Sequence, residues 1–126
     1  MNVNEILAYD TLHNQNGVSF AEVVNLIDRE IKENHARIVR QGDTLFIMKT
    51  LPRGVCEFHS FNADSKDNFI QNVIVFLHLL DRLHYKKAIT PFASPVLEHI
   101  AQKYLADKFN IQVHRAQDGY LMEVSY

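Results

Sequence analysis

A single cysteine, Cys56, rules out an internal disulfide and a cysteine-based structural zinc site. No excess of basic residues exists to neutralise phosphates: 13 Lys and Arg stand against 15 Asp and Glu, for a net charge of −2. Nucleic acid is therefore disfavoured as a main partner. The longest apolar run, Val73–Leu77, falls far short of the ~20 residues that span a bilayer, so no membrane association is expected. The N-terminal stretch MNVNEILAYD has no basic region followed by an apolar core, which argues against a secretion signal and makes a cytosolic protein the expectation. Repeats, low-complexity tracts and linkers are likewise missing. Glycine and proline are scarce, four and three residues, and most of them punctuate turns.

What is present is ordinary for a globular chain. Apolar residues make up 47% and charged residues 22% of 126 residues, the size of one domain covering 1–126. Glu5–Leu12 reads as a short helix or a first strand, and His13–Gly17 as a turn. Ser19 and Glu22 have capping-box spacing, and Phe20, Val23, Val24, Ile27 and Ile31 form one apolar stripe of a helix. Three strands are expected next, Ala36–Arg40, Thr44–Leu51 and Val55–Phe61, separated by Gln41-Gly42-Asp43 and Pro52-Arg53-Gly54. Short connections favour an antiparallel meander. Alternation puts Val55, Glu57, His59 and Phe61 on one face of the third strand and Cys56, Phe58 and Ser60 on the other.

A long apolar helix is expected over Lys66–His84, capped by Asp64 or Ser65 and covered on two sides. Ala88–Phe92 is a short strand in which Pro91 marks an edge or a splayed position. Ser94-Pro95 starts a helix to about Lys108. Ile111–Ala116 and Tyr120–Tyr126 form a hairpin across Gln117-Asp118-Gly119. The class is α+β. Element order does not by itself set which strands pair.

Local chemistry is thin. None of the seven histidines pairs with another at i, i+4, and Cys56 and His59 point to opposite strand faces, so no metal site is expected. No local signature marks Cys56 as a nucleophile.

The element order from Ser19 to Tyr126 resembles the GNAT (Gcn5-related N-acetyltransferase) fold, a mostly antiparallel mixed sheet with a central helix. Tyr104 and Phe109 in YLADKF match that family's helix-end pattern, with Lys108 where glycine is usual, and GYLMEVSY resembles its final strand. The resemblance implies acetyl transfer from acetyl-CoA to a small-molecule or protein amine, with Glu57 as general base and Tyr104 as general acid. It also implies a cofactor path along the third strand, by Phe58, Ser60 and Phe61, ending at Asn62, Ser65 and Lys66. Phosphate recognition in this family uses a glycine-bearing turn before the central helix. The matching stretch, Asn62–Asp67, has no glycine and carries Asp64 and Asp67. The same scaffold implies a second reading, a non-enzymatic structural or interaction protein such as a phage or virion-associated one. That reading brings a protein partner or a homo-oligomer.

Overall fold

A computed structural model describes residues 1–14 and 18–126, with the Asn14 side chain left aside. Two helices open the chain, α1 (Val3–Asn14) and α2 (Phe20–Asn34). Glu5–Leu12 is thus helical. Asn2 and Glu5 form a reciprocal cap, the Asn2 side chain accepting from the Glu5 amide at 2.8 Å and Glu5 accepting from the Asn2 amide at 3.0 Å. His13 and Asn14 continue that helix instead of turning, and the remainder of the expected turn lies outside the described residues. Ser19 caps α2 as its spacing predicts, its hydroxyl accepting from the Glu22 amide at 3.2 Å.

A hairpin follows, β1 (Arg37–Gln41) and β2 (Thr44–Leu51), and then β3 (Val55–Asn62). Helix α3 (Lys66–Arg82) leads to β4 (Lys87–Phe92), and α4 (Pro95–Ile100) runs into a turn of π-helix over Ala101–Leu105. That helix stops three residues before the expected Lys108. The hairpin of β5 (Asn110–Ala116) and β6 (Gly119–Ser125) closes the chain. Six strands form one mixed sheet in the order β1-β2-β3-β4-β6-β5, and only the β3–β4 contact is parallel. Gly119 is obligatory at its turn: φ is +151° and a Cβ there would stand 2.6 Å from the Phe92 carbonyl oxygen.

Both faces of the sheet are covered. β2 shows why its five leading residues are all buried: Leu45 and Ile47 join Ile6, Leu7, Val23 and Ile27 of α1 and α2, while Phe46 and Met48 face α3. On the α3 side Phe46 and Phe76 stack at 4.1 Å, and Phe58 meets Phe76 edge-on at 5.0 Å. Ile100, Ala101 and Leu105 of the last helix complete this core. Helix α3 is covered on one side only. Gln71, Val75 and His78 share an exposed face, so its apolar sequence exceeds what the fold buries. Tyr126 donates its hydroxyl to the Leu77 carbonyl at 2.6 Å and ties the last strand to that helix. Among the described residues no helix is long and apolar enough to cross a membrane.

One polar cluster interrupts the apolar packing at the head of α3. The Asn72 side chain donates to the Thr44 hydroxyl and to the Asp64 carboxylate, both at 2.9 Å, and Thr44 donates to Asn62 Oδ1 at 2.8 Å. Thr44 and Asn72 are buried, so these bonds have no water to replace them. Asn72→Ala should lower unfolding free energy by about 1–3 kcal/mol, whereas Gln71→Ala on the exposed face should change it by no more than ~0.5 kcal/mol. Chemical denaturation of both variants checks the contrast.

Candidate active site

The β3–β4 contact lasts three rungs, Val55–Lys87, Cys56–Ala88 and Glu57–Ile89, and then ends. β3 continues to Asn62 against β2, and β4 continues to Phe92 against β6. The two strands therefore part after Glu57 and Ile89. Pro91, which has no N–H to donate, lies two residues past the last rung, the splayed position its residue type predicts.

A cleft of about 910 Å³ occupies the fork. Phe58–Asn62 and Thr90–Phe92 line it from the two strands. Asp10, His13, Val23, Leu26 and Ile27 line it from the α1 and α2 layer, and Lys66, Phe69, Val73, Ile100 and Leu105 from the α3 and α4 layer. Its wall is mostly apolar with a few polar groups, the composition of a small-molecule site.

The expected site residues fall into three groups. Phe58, Ser60, Phe61, Asn62 and Lys66 line the cleft. Ser65 does not; its hydroxyl caps α3 by accepting from the Asn68 amide at 3.3 Å. Glu57 and Tyr104 are not among the lining residues and sit on opposite faces of the sheet. Glu57 shares the α2 face with Lys49, whose ammonium lies 3.2 Å from it and 3.0 Å from Glu30. The Lys49 hydrogen bond holds the Glu30 carboxyl below its ordinary value, and the Glu30 bond raises Lys49 in turn. Tyr104 packs against the α3 core from the π-helical turn, beside the lining residues Ala101 and Leu105.

His59, to which the sequence assigns no role, also lines the cleft. It stands on the same strand face as Glu57, two residues further, where β3 has already left β4. Solvent reaches its ring, yet the surrounding walls of the cleft push its pKa below 6.5, and Lys49 pushes the same way. Glu57 and Glu30 oppose that shift without cancelling it. Its strand alternation with Glu57 is the one sequence signal that bears on this position. Thr90, Asp10 and His13 carried no comparable signal.

The turn before α3 does not fit a pyrophosphate. The Asn62 amide donates to Asp10 at 2.9 Å, the Ala63 amide to the Asp43 carbonyl at 2.9 Å, and the Asp64 amide to Asn62 Oδ1 at 3.0 Å. The Asp64 carboxylate accepts from the Asp43 amide at 2.8 Å. Three successive donors that an anion would need are thus directed into the protein, and carboxylates stand in their place.

This architecture is the GNAT fold. Among solved structures, the chain is similar to a variant of spermidine N-acetyltransferase SpeG from Vibrio cholerae, with TM-score 0.59 and 15% identity over 98% of this chain and 90% of that one. It is also similar to an N-acetyltransferase from Staphylococcus aureus Mu50, with TM-score 0.57 and 11% identity over 98% and 90%. A ribosomal-protein-alanine N-acetyltransferase from Brucella melitensis gives TM-score 0.55 and 9% identity over 97% and 92%. No family model and no curated protein sequence matches the chain.

Two behaviours follow from this site. Burial pushes the Cys56 thiol up to about 12, so thiol reagents should label the native protein far more slowly than the unfolded chain. Fast native labelling would show the α3 core to be open. For His59 the sign is set by its lowered value: the unfolded chain binds the proton more tightly, so stability should fall as pH drops from 6.5 through the folded-state value. Denaturation midpoints against pH should show this loss, and His59→Gln should lessen it.

Proposed function

We propose that the protein is an N-acyltransferase that moves an acyl group from a thioester donor to an amine in the β3–β4 cleft. The observation that carries this reading is the early end of β3–β4 pairing, which leaves a free strand edge beside a cleft open to both helical layers. An amide-bearing donor can pair with that edge as an added strand. The amine enters from the α1 and α2 layer, the thioester from the α3 and α4 layer.

His59 is the proposed base. It lines the cleft on the amine side, and its lowered pKa keeps the imidazole neutral at pH 7, ready to accept a proton. Glu57, engaged by Lys49, stands behind it and favours the imidazolium that forms. The amine nitrogen attacks the acyl carbonyl, the C–S bond breaks, and the amine proton passes to His59. The sulfur departs as a thiolate; Tyr104, the acid that the resemblance implies, packs behind Ala101 and Leu105 outside the lining and is not assigned that step. Acceptors suggested by the similar structures are polyamines such as spermidine and alanine amines of proteins. A cytosolic location, where thioesters and free amines coexist, accompanies the reading.

The test is amine-dependent thiol release from short acyl thioesters across a panel of polyamines and peptides, together with thermal shift. Wild-type protein should release thiol and gain about 2.7 kcal/mol of stability at ~100 times the donor's dissociation constant. His59→Gln should keep the thermal shift and lose about 10²–10⁴-fold in rate. With neither thiol release nor stabilisation at millimolar donor, the enzyme reading fails. The chain would then be a non-enzymatic interaction protein on this scaffold, of the kind phages carry.

A further inference from the structure

We infer that the cleft recognises its donor through the acyl group and an uncharged pantetheine-like arm, without a grip on a nucleotide diphosphate. The inference rests on the acyltransferase reading and adds the donor class. Its ground is the hydrogen bonding of Asn62–Asp64, the stretch between the strand edge and α3 where a donor's phosphates would emerge.

Every backbone donor of that stretch is committed inward, to Asp10, to the Asp43 carbonyl and to Asn62 Oδ1. The side chains close the same loop. Asn62 Oδ1 also accepts from Thr44, and Asn62 Nδ2 donates to the Asp64 carbonyl at 3.1 Å. Asp64 Oδ2 accepts from both the Asp43 amide and Asn72 Nδ2. Turning the amides outward to an anion would give up the bond to the buried Asp10, the bond to the Asp43 carbonyl and the bond to Asn62 Oδ1, the atom that also holds the buried Thr44 hydroxyl. The charge at this end also opposes a diphosphate. Asp64 sits in the turn and Asp67 in the first turn of α3, against the single ammonium of Lys66. A pyrophosphate there would meet two carboxylates and find the Asn62–Asp64 amides already bonded.

Nothing similar obstructs the arm. From Phe58 onward β3 is paired only with β2, and Thr90–Phe92 are paired only with β6. The two amides of a pantetheine arm need a strand edge and an apolar wall, and the fork supplies both. Free pantetheine thioesters, nucleotide-linked thioesters and carrier-protein thioesters all present this same arm.

Calorimetric titration of the intact protein with acetyl-pantetheine, acetyl-CoA, an acetylated acyl carrier protein and adenosine 3′,5′-bisphosphate tests the inference. Acetyl-pantetheine and acetyl-CoA should bind within about threefold of each other, with an affinity that salt leaves unchanged, and the bisphosphate should not bind. Equal or tighter binding of the carrier form also supports arm recognition and identifies the source. Acetyl-CoA binding more than about tenfold tighter than acetyl-pantetheine, or measurable binding of the bisphosphate, overturns the inference and leaves the acyltransferase reading standing. If none of the thioesters binds, both fall.

Discussion

Parallel strands β3 and β4 keep their hydrogen bonds for three rungs and then separate, and most of what distinguishes this molecule follows from that break. A sheet covered on both faces ordinarily has no room for a ligand. Here the missing rungs open the sheet itself, so a cleft forms between strands and takes its walls from both helical layers. Each strand remains anchored on its far side, β3 to β2 and β4 to β6, so the fork is held open by paired neighbours. Pro91 cannot extend a ladder across the gap.

At the wide end of the fork the chain must pass from strand to helix. In the phosphate-binding version of such a passage, glycine-rich backbone faces outward. This chain instead uses Asn62, Asp64, Thr44 and Asn72 to lace the passage to the β1–β2 hairpin and to α3. Asp10 ties it to α1. The same residues that give this corner its rigidity remove its amides from ligand binding. In the proposed acyltransferase reading, this corner trades a phosphate grip for stability, and the proposed chemistry centres on His59 in the middle of the cleft.

The fold was largely legible from local pattern. Ser19 and Ser94 cap helices where expected, Ser65 is the cap of the two candidates Asp64 and Ser65, and β2 has the bounds of TLFIMKTL. The first helix was half legible, because its Asn2–Glu5 cap uses asparagine in a box usually read for serine or threonine. The last helix was read three residues too long, since the π-helical turn at Ala101–Leu105 shifts the ladder without changing the apolar stripe. The site was less legible. Five of the six residues expected along the cofactor path reach the cleft, whereas Glu57 and Tyr104 occupy opposite faces outside its lining.

Local sequence alone determined most of the helices and strands, the serine caps and the α+β class, because periodicity and caps act over a few residues. It also determined that Asn62–Asp67 lacks the glycines a phosphate turn uses. Only the tertiary structure decided where the parallel pairing stops, which side chains reach the fork, and where the polar groups of that turn are spent. Those outcomes depend on partners tens of residues away, such as Asp10 with Asn62 and Thr44 with Asn72, and no local periodicity encodes a contact at that range.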